Sequence, residues 1–295
     1  MNAYNSDIPL SSGSKALDVA LKGGYPLGNA IEIHGDDNTG KSTLGLMAIR
    51  ECQKRNSTSI LVNSDESFDP KYAEAHGINT KELLVLNDYA ENVIDMLSSL
   101  IPTGAIGLIV IDSLNSLLPK SESQCMMGEE PSRAQHEVIS MALNHLTDLC
   151  NKHQTVLLIV SQIRQIETQE HGFVDTTPSK KTLGKKLSHR IYCSHLTPIS
   201  LTPDSEITGF TIHQVVELPL GKKAQTKISF DHILGMDIEA DFVNAGLVSG
   251  IFHEQADGSI CSSSALIGRT FAEAAAKFQN LNWKAKLDNR LIEMR

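Results

Sequence analysis

Short, strongly apolar segments alternate with segments of helical periodicity through the first half of the chain. Continuous apolar runs predict strands that are buried on both faces, and apolar residues spaced three or four apart predict amphipathic helices. We predict strands at residues 30–34, 59–63, 83–86, 107–112 and 155–161. We predict helices at residues 42–54, 91–101 and 133–152. Buried strands separated by helices indicate an α/β fold with a mostly parallel sheet and right-handed crossovers.

The pattern changes after residue 190, where shorter segments of alternating polarity follow. Those at residues 199–202, 210–216 and 226–230 predict antiparallel strands that complete the sheet. From about residue 237 the pattern predicts a helix at 239–245, strands at 248–252 and 258–261, and helices from 270 and from 283. We therefore divide the chain into a short N-terminal tail (1–12), an α/β core (13–235) and a small C-terminal α+β domain (236–295).

The composition is that of a globular protein, because hydrophobic residues make up 41% and charged residues 21% of the chain. No apolar run reaches the ~18 residues of a membrane span, and the N-terminus lacks the pattern of a secretory signal. The five cysteines are scattered, without a CxxC pair, which favours reduced thiols over disulfides or a zinc site. We expect a cytoplasmic protein without a membrane partner.

The net charge of −9 argues against a surface that is basic all over, so any contact with nucleic acid must be local. One segment, residues 178–190, combines five fixed positive charges with no acidic residue. Its cations are Lys180, Lys181, Lys185, Lys186 and Arg190. A solvated charged face and a nucleic-acid contact both explain such a segment.

A glycine-rich segment lies between the first predicted strand and the first predicted helix. It fits the phosphate-loop pattern G-x4-G-K-[ST], known as Walker A, at every position. Its residues are Gly35, Asp36, Asp37, Asn38, Thr39, Gly40, Lys41 and Ser42, and Thr43 follows them. In such a loop, backbone N–H groups and the N-terminus of the helix bind phosphates. We predict that Lys41 neutralises the β- and γ-phosphates of ATP and that the Ser42 hydroxyl holds Mg²⁺.

Acidic residues follow two other predicted strands. Asp112 closes the most apolar strand, and we predict that it orients Mg²⁺ and its water as the Walker B acid. An acid that only caps a turn is the alternative for this position. Asp65 and Glu66 follow the second strand, and either offers a carboxylate that polarises the attacking water. Because adjacent side chains on a strand face opposite sides, we expect only one of the two to face the γ-phosphate.

Several ordered segments together resemble the RecA recombinase family. They lie at residues 14–28, 68–84, 108–120 and 155–164, so the resemblance covers most of the chain. It implies a RecA-like core that binds ATP between subunits and associates into a filament or ring. It also implies binding of single-stranded DNA, with duplex DNA as an alternative, and a role in DNA recombination or repair.

The resemblance assigns roles to individual positions. Asp69 and Tyr72 are implied to contact adenine, Tyr72 by stacking, and Gln162 is implied to sense the γ-phosphate. Residues 163–183, which include Arg164, are implied to be the principal DNA-binding loop, and residues 124–133 a second one. The basic segment continues directly from the principal loop, which favours DNA phosphates as its ligand.

Some positions depart from the family pattern. The catalytic glutamate of the family matches Asp65, whose shorter side chain predicts slow hydrolysis. The family extends two lysines into the neighbouring ATP site, and the matching segment, residues 216–218, has none, although Lys222 and Lys223 follow closely. Only a short tail precedes the resemblance, so we expect the interface helix at the N-terminus of the family to be absent.

We therefore expect a DNA-dependent ATPase of the RecA type that acts in recombination or repair. The alternative is a nucleotide-gated regulatory or mediator ATPase of the same fold without strand-exchange activity, which the missing lysines favour. A small-molecule kinase is the weakest interpretation, because the sequence shows no arginine-rich lid.

Overall fold

The computed structural model of the protein describes residues 8–120, 133–168, 172–200, 207–231, 235–262 and 265–277, together with residues 285 and 289. Its helices are α1 (Lys15–Ala20), α2 (Lys41–Lys54), α3 (Pro70–Ala75), α4 (Ala90–Leu100), α5 (Arg133–His153), α6 (Pro178–Leu183), α7 (Ile238–Val248) and α8 (Phe271–Lys277). Its strands are β1 (Ala30–Gly35), β2 (Thr58–Asn63), β3 (Leu83–Leu86), β4 (Ile106–Asp112), β5 (Val156–Gln162), β6 (Arg164–Thr168), β7 (Gly172–Thr176), β8 (Leu187–Ser200), β9 (Ile207–Glu217), β10 (Lys223–Asp231), β11 (Gly235–Met236), β12 (Phe252–Glu254), β13 (Ile260–Ser262) and β14 (Ala265–Gly268).

Nine of these strands form one sheet in the order β11-β10-β9-β8-β1-β5-β4-β2-β3. The six strands from β8 to β3 in this order run parallel to one another, and β9, β10 and β11 are antiparallel to their neighbours. Helices connect the first five parallel strands, as parallel pairing requires. The predicted α/β fold, with a mostly parallel sheet completed by antiparallel strands, is therefore confirmed.

The sheet is covered by apolar side chains on both faces. Ile31 and Ile33 of β1 belong to the core cluster that contains Leu44 of α2. Leu157 and Ile159 of β5 belong to the opposite cluster, which also contains residues of α4 and α5. Burial on both faces explains why the parallel strands are continuous apolar runs in the sequence.

Strand β8 differs from its prediction. It begins at Leu187, not at residue 199, and runs parallel to β1 through the whole of that strand. Its buried residues Ile191 and Cys193 alternate with the half-buried Arg190 and Tyr192. A cation between apolar positions weakens the pattern that identifies a strand, and this hid the first half of β8 in the sequence.

In the part that the structure describes, the C-terminal unit contains α7, a three-stranded antiparallel sheet of β12, β13 and β14, and α8. The helix predicted at 239–245 is confirmed, but most of the strand predicted at 248–252 is wrong, because α7 extends to Val248 and β12 begins at Phe252. The helix predicted from residue 283 lies outside the continuously described residues. The core of the unit includes Ala16 of α1, so the division at residue 236 stays a prediction.

An acid of the C-terminal unit holds the N-terminus of α1. Asp241 accepts hydrogen bonds from Lys15 N at 2.6 Å and from the Ser14 hydroxyl at 2.5 Å. Ser14 in turn accepts from Leu17 N as the N-cap of the helix. Burial raises the pKa of Asp241 to about 6.

Among the described helices, none is long and apolar enough to cross a membrane.

Candidate functional site

The glycine-rich loop joins the C-terminal end of β1 to the N-terminus of α2. Gly40 caps α2 in the left-handed conformation (φ 80°). A Cβ at Gly40 would collide with the Ile212 side chain, and one at Gly35 would collide with the carbonyl oxygen of Cys193. Both glycines are therefore required by backbone conformation and close packing. The loop presents the N-terminus of a 14-residue helix, which is a favourable place for an anion.

Side chains of the loop separate into buried and exposed sets. Lys41 is only 7% exposed, and its ammonium donates a hydrogen bond to the Asp36 carbonyl oxygen inside the loop. Burial lowers the pKa of Lys41. The Thr39 hydroxyl donates to the same carbonyl at 2.8 Å. The acids Asp36 and Asp37 are exposed, as is Asn38, so the acidic side chains leave the backbone amides free to bind phosphate.

Ser42 and Asp112 come together from two different elements. Ser42 lies in the first turn of α2, and Asp112 ends β4. Burial raises the pKa of Asp112, and the hydrogen bond between the Ser42 side chain and its carboxyl group acts in the opposite direction. Two hard oxygen ligands therefore lie side by side at the phosphate loop, which is the arrangement that Mg²⁺ requires beside a nucleotide.

The acids after β2 lie beyond the end of the strand. Since β2 ends at Asn63, the expectation that Asp65 and Glu66 alternate as on a strand is wrong. Both acids belong to a turn, in which Glu66 has the left-handed φ of 56°. The charge of Asp65 raises the pKa of Asp112, so Asp65 lies within electrostatic reach of the site. One oxygen of Asp65 accepts from Ser67 N at 3.1 Å and from the Ser67 hydroxyl at 2.7 Å.

The residues assigned to adenine lie on helix α3. Asp69 is its N-cap and accepts from Lys71 N at 2.8 Å. The Tyr72 ring is 39% exposed, and its hydroxyl is 3.1 Å from the Thr43 hydroxyl of α2. Asp69 and Tyr72 line a cavity of about 250 Å³ together with Ser42 and Asp112. The structure thus brings the residues predicted for adenine and for the metal to one cavity.

Gln162 connects the loop to the segment that follows β5. It is the last residue of β5, where it pairs with Gly35, the first residue of the phosphate loop. Its backbone N–H donates to the Asn115 side chain at 3.0 Å. Asn115 was not predicted as a site residue, because an asparagine between two apolar segments carries no recognisable motif.

The described part of the segment 163–183 has regular secondary structure, so the expected loop conformation is wrong there, while its role in binding DNA stays a prediction. Strands β6 and β7 pair as an antiparallel hairpin from Arg164↔Thr176 to Thr168↔Gly172, and α6 follows. The short alternating segments resemble a polar loop in the sequence because they contain few apolar residues. Residues 124–132 of the second expected DNA-binding loop lie outside the described residues, as position 133 begins α5.

The basic residues of the segment 178–190 fall into different environments. Lys180 is exposed on α6, whose N-cap Thr177 accepts from Lys180 N. Lys181 also lies on α6, and Lys185 lies in the 3-10 turn Gly184–Lys186. Lys186 forms an ion pair with Asp148 at 2.7 Å.

Arg190 is bound to acids of the protein itself. Its Nε lies 2.5 Å from the fully buried Glu32 carboxylate, and its Nη1 lies 3.1 Å from Glu217. The Arg190 side chain is only 16% exposed. His34 lies beside this group, and burial lowers its pKa to about 4. A structural role thus accounts for Arg190, whereas its predicted contact with DNA has no geometric support.

Comparison with known proteins relates the chain to one protein family. The family model of the RecA N-terminal domain matches residues 3–231. The chain is 36% identical over 211 residues to Protein RecA of Oceanobacillus iheyensis, which covers 70% of this chain and 61% of that relative. It is 39% identical over 176 residues to Protein RecA of Bacillus mycoides, covering 59% of this chain and 51% of the relative. It is also 39% identical over 174 residues to Protein RecA of Levilactobacillus brevis, covering 58% and 46%.

The chain thus spans about half to three fifths of the length of these curated relatives. The residues matched by the family model include the phosphate loop, the acids after β2 and β4, and Gln162. Taken with the fold and the geometry of the loop, this match shows that the chain belongs to the RecA family.

Proposed function

We propose that this protein is an ATP-dependent, single-stranded-DNA-binding ATPase of the RecA type that acts in DNA recombination or repair. The observation that carries the proposal is the pairing of Gly35 with Gln162. This pair joins the first residue of the phosphate loop to Gln162, which lies two positions before β6 begins. Binding or hydrolysis of ATP at the loop would therefore take place next to the backbone that leads into the proposed DNA-binding segment.

The proposed nucleotide site uses the residues that converge on the loop. Backbone amides from Gly35 to Thr43 would bind the phosphates, with the Lys41 ammonium as their counter-charge. The side-chain oxygens of Ser42 and Asp112 would hold Mg²⁺, which when bound neutralises charge on the β- and γ-phosphates. Asp69 and Tyr72 would contact adenine, in keeping with their place in the cavity that also contains Asp112.

For hydrolysis, we assign the orientation of the attacking water to Asp65. Its influence on the pKa of Asp112 supports this choice over Glu66, which follows it in the turn. The Asp65 carboxylate is short, and one oxygen already accepts two hydrogen bonds from Ser67. Less of it is available to a water near the γ-phosphate, so the proposed hydrolysis is slow.

For DNA, we propose the hairpin and the cations that follow it. Arg164 begins the hairpin, and Lys180, Lys181 and Lys185 lie on α6 and in the turn after it. Lys186 and Arg190 already pair with Asp148 and with the acids Glu32 and Glu217, so they contribute less to this surface. Contacts of lysine and arginine with phosphates make binding steeply dependent on salt.

Assembly and location complete the proposal. ATP would lie between copies of the chain in a filament or ring, and the protein would act in the cytoplasm. Lys222 and Lys223 are the candidates for contact with the nucleotide of a neighbouring copy. Lys223 forms an ion pair with Glu217 at 2.9 Å but keeps 62% of its side chain exposed, so it can exchange this partner for a phosphate.

ATP hydrolysis with and without a single-stranded oligonucleotide, over a series of salt concentrations, tests the proposal. We expect DNA to stimulate hydrolysis, the stimulation to fall as salt rises, and Lys41→Ala to lack activity. Lys54→Ala is the matched control, because Lys54 is an exposed residue at the other end of α2. Folded protein that gives no heat with Mg-ATP would refute the nucleotide site. Binding of ATP without affinity for DNA would refute the DNA part alone.

A further inference from the structure

A histidine supports the tyrosine of the cavity from behind. The ring centroids of Tyr72 and His76 are 4.2 Å apart at an interplanar angle of 43°. Nδ1 of His76 lies 2.8 Å from the Tyr72 carbonyl oxygen, and since a carbonyl only accepts, this nitrogen carries the proton. The imidazole is thereby fixed one helical turn after the tyrosine, with its ring against the phenol.

His76 contacts Tyr72 but does not line the cavity that Tyr72 lines. Tyr72 lines the cavity of about 250 Å³ that contains Ser42 and Asp112, whereas His76 is not among its lining residues. His76 instead lines a second cavity of about 420 Å³, together with Arg50 and Phe230. The ring of Phe230 lies 6.3 Å from that of His76, so His76 lies between the rings of Tyr72 and Phe230 in a series of contacts.

Two independent contacts therefore set the orientation of Tyr72. The Thr43 hydroxyl, next to the phosphate loop, meets the phenol oxygen at 3.1 Å, and His76 covers part of the ring. A ring held at its tip and on one side presents a fixed surface on the other. Pre-organised stacking surfaces bind better because less rotamer freedom is lost when the ligand arrives.

We propose that His76 is a positioning residue for the base of the nucleotide, acting through Tyr72. This inference rests on the proposed function, because it assumes that ATP binds at the phosphate loop with its base against Tyr72. Only a ligand that has a base can stack on Tyr72. The affinity for adenine nucleotides therefore depends on His76 more than the affinity for a ligand without a base. Contacts at the phosphates do not involve this residue.

The test compares a ligand that has a base with one that has none. Calorimetry with Mg-ATP and with Mg-tripolyphosphate is carried out on the wild type, His76→Leu and His76→Phe. In His76→Leu we expect ATP affinity to fall about three- to ten-fold, the range for loss of an aromatic pair, with tripolyphosphate affinity unchanged. In His76→Phe the ring remains, and we expect ATP affinity within about two-fold of the wild type. His253→Leu, at an exposed histidine of β12, is the matched control and is expected to behave as the wild type.

Removal of Tyr72 tests whether His76 acts through it. In a Tyr72→Leu background we expect His76→Leu to have no further effect on ATP affinity. Equal losses for ATP and tripolyphosphate, an undiminished effect in that background, or unchanged ATP affinity in His76→Leu would each overturn the inference. Absence of Mg-ATP binding to the wild type is a different outcome, since it refutes the proposed function itself. If His76→Leu does not fold, a ten-fold loss in a folded His76→Phe would overturn the inference.

Discussion

The ion pair between Arg190 and Glu32 allows a structural role of Arg190 to be tested separately from a role in DNA binding. Glu32 is fully buried and accepts hydrogen bonds from the Arg190 guanidinium and the Ser179 hydroxyl, and Nδ1 of His34 lies 3.9 Å from its carboxylate. In Arg190→Met the carboxylate stays buried beside His34, whose lowered pKa of about 4 keeps it neutral near pH 7, so no cation remains. Breaking a buried pair from one side typically costs about 3–5 kcal/mol, because a buried charge is left uncompensated. The 16% exposure of Arg190 lets water reach the gap, so we expect a loss near the lower limit, about 3 kcal/mol.

Urea denaturation measures this loss as a change in the free energy of unfolding at an unchanged m-value. Lys186→Met is the matched control within the same basic segment. Its pair with Asp148 is exposed, with 40% and 69% of the two side chains accessible, so we expect a loss below about 1 kcal/mol. The double variant Arg190→Met/Glu32→Gln leaves no charge buried, and we expect it to recover most of the lost stability.

Two results would refute this reasoning. One is a loss in Arg190→Met no larger than in Lys186→Met, which would mean that Glu32 does not depend on the arginine. The other is a loss of affinity for single-stranded DNA at full stability in Arg190→Met. That second result would support the contact between Arg190 and DNA that was predicted from the basic segment.

Three further predictions concern hydrolysis and stability. Lengthening the acid in Asp65→Glu is expected to raise the single-turnover rate of ATP hydrolysis, and Asp65→Asn to lower it far more than Glu66→Gln; the reverse order would identify Glu66 as the catalytic acid. Burial lowers the pKa of His34 from 6.5 to about 4, which corresponds to about 3 kcal/mol of stability. That stability is present above pH 6.5 and lost as the pH falls through 4, so the melting temperature of the wild type should decline over this window more than that of His34→Gln. Asp241→Ala leaves the N-terminal amides of α1 without their acceptor and is expected to cost about 2 kcal/mol in thermal unfolding, whereas a neutral result would show that Ser14 caps the helix alone.

Local chemistry made much of the proposed nucleotide site predictable. The loop from Gly35 to Ser42 needs glycine where the backbone is left-handed or closely packed, and that requirement is visible as residue type and spacing. The prediction for Asp112 came from its place at the end of the most apolar strand, since a phosphate loop needs an acid at the end of a neighbouring strand to orient Mg²⁺. The pair Tyr72 and His76, four residues apart, was visible in principle, but a tyrosine and a histidine at that spacing are also common on helix surfaces.

The partners of charged side chains were not predictable in this way. Arg190 and Glu32 are 158 positions apart, and only the parallel pairing of β8 with β1 brings them together. In the sequence Arg190 belongs to a run of five cations, and nothing local distinguishes it from exposed Lys180.

The parallel core, the phosphate loop and the acid at the end of β4 were predicted from the amino-acid sequence alone. They could be, because burial on both faces and backbone conformation restrict which residues are possible there. The long-range contacts were needed to find that Asp65 lies within electrostatic reach of Asp112, that β6 and β7 pair after Gln162, and that Lys186 and Arg190 already have acidic partners. Charged and polar groups pair with the groups that lie near them in space. Which groups lie near is decided by the folding together of residues that are far apart in the chain.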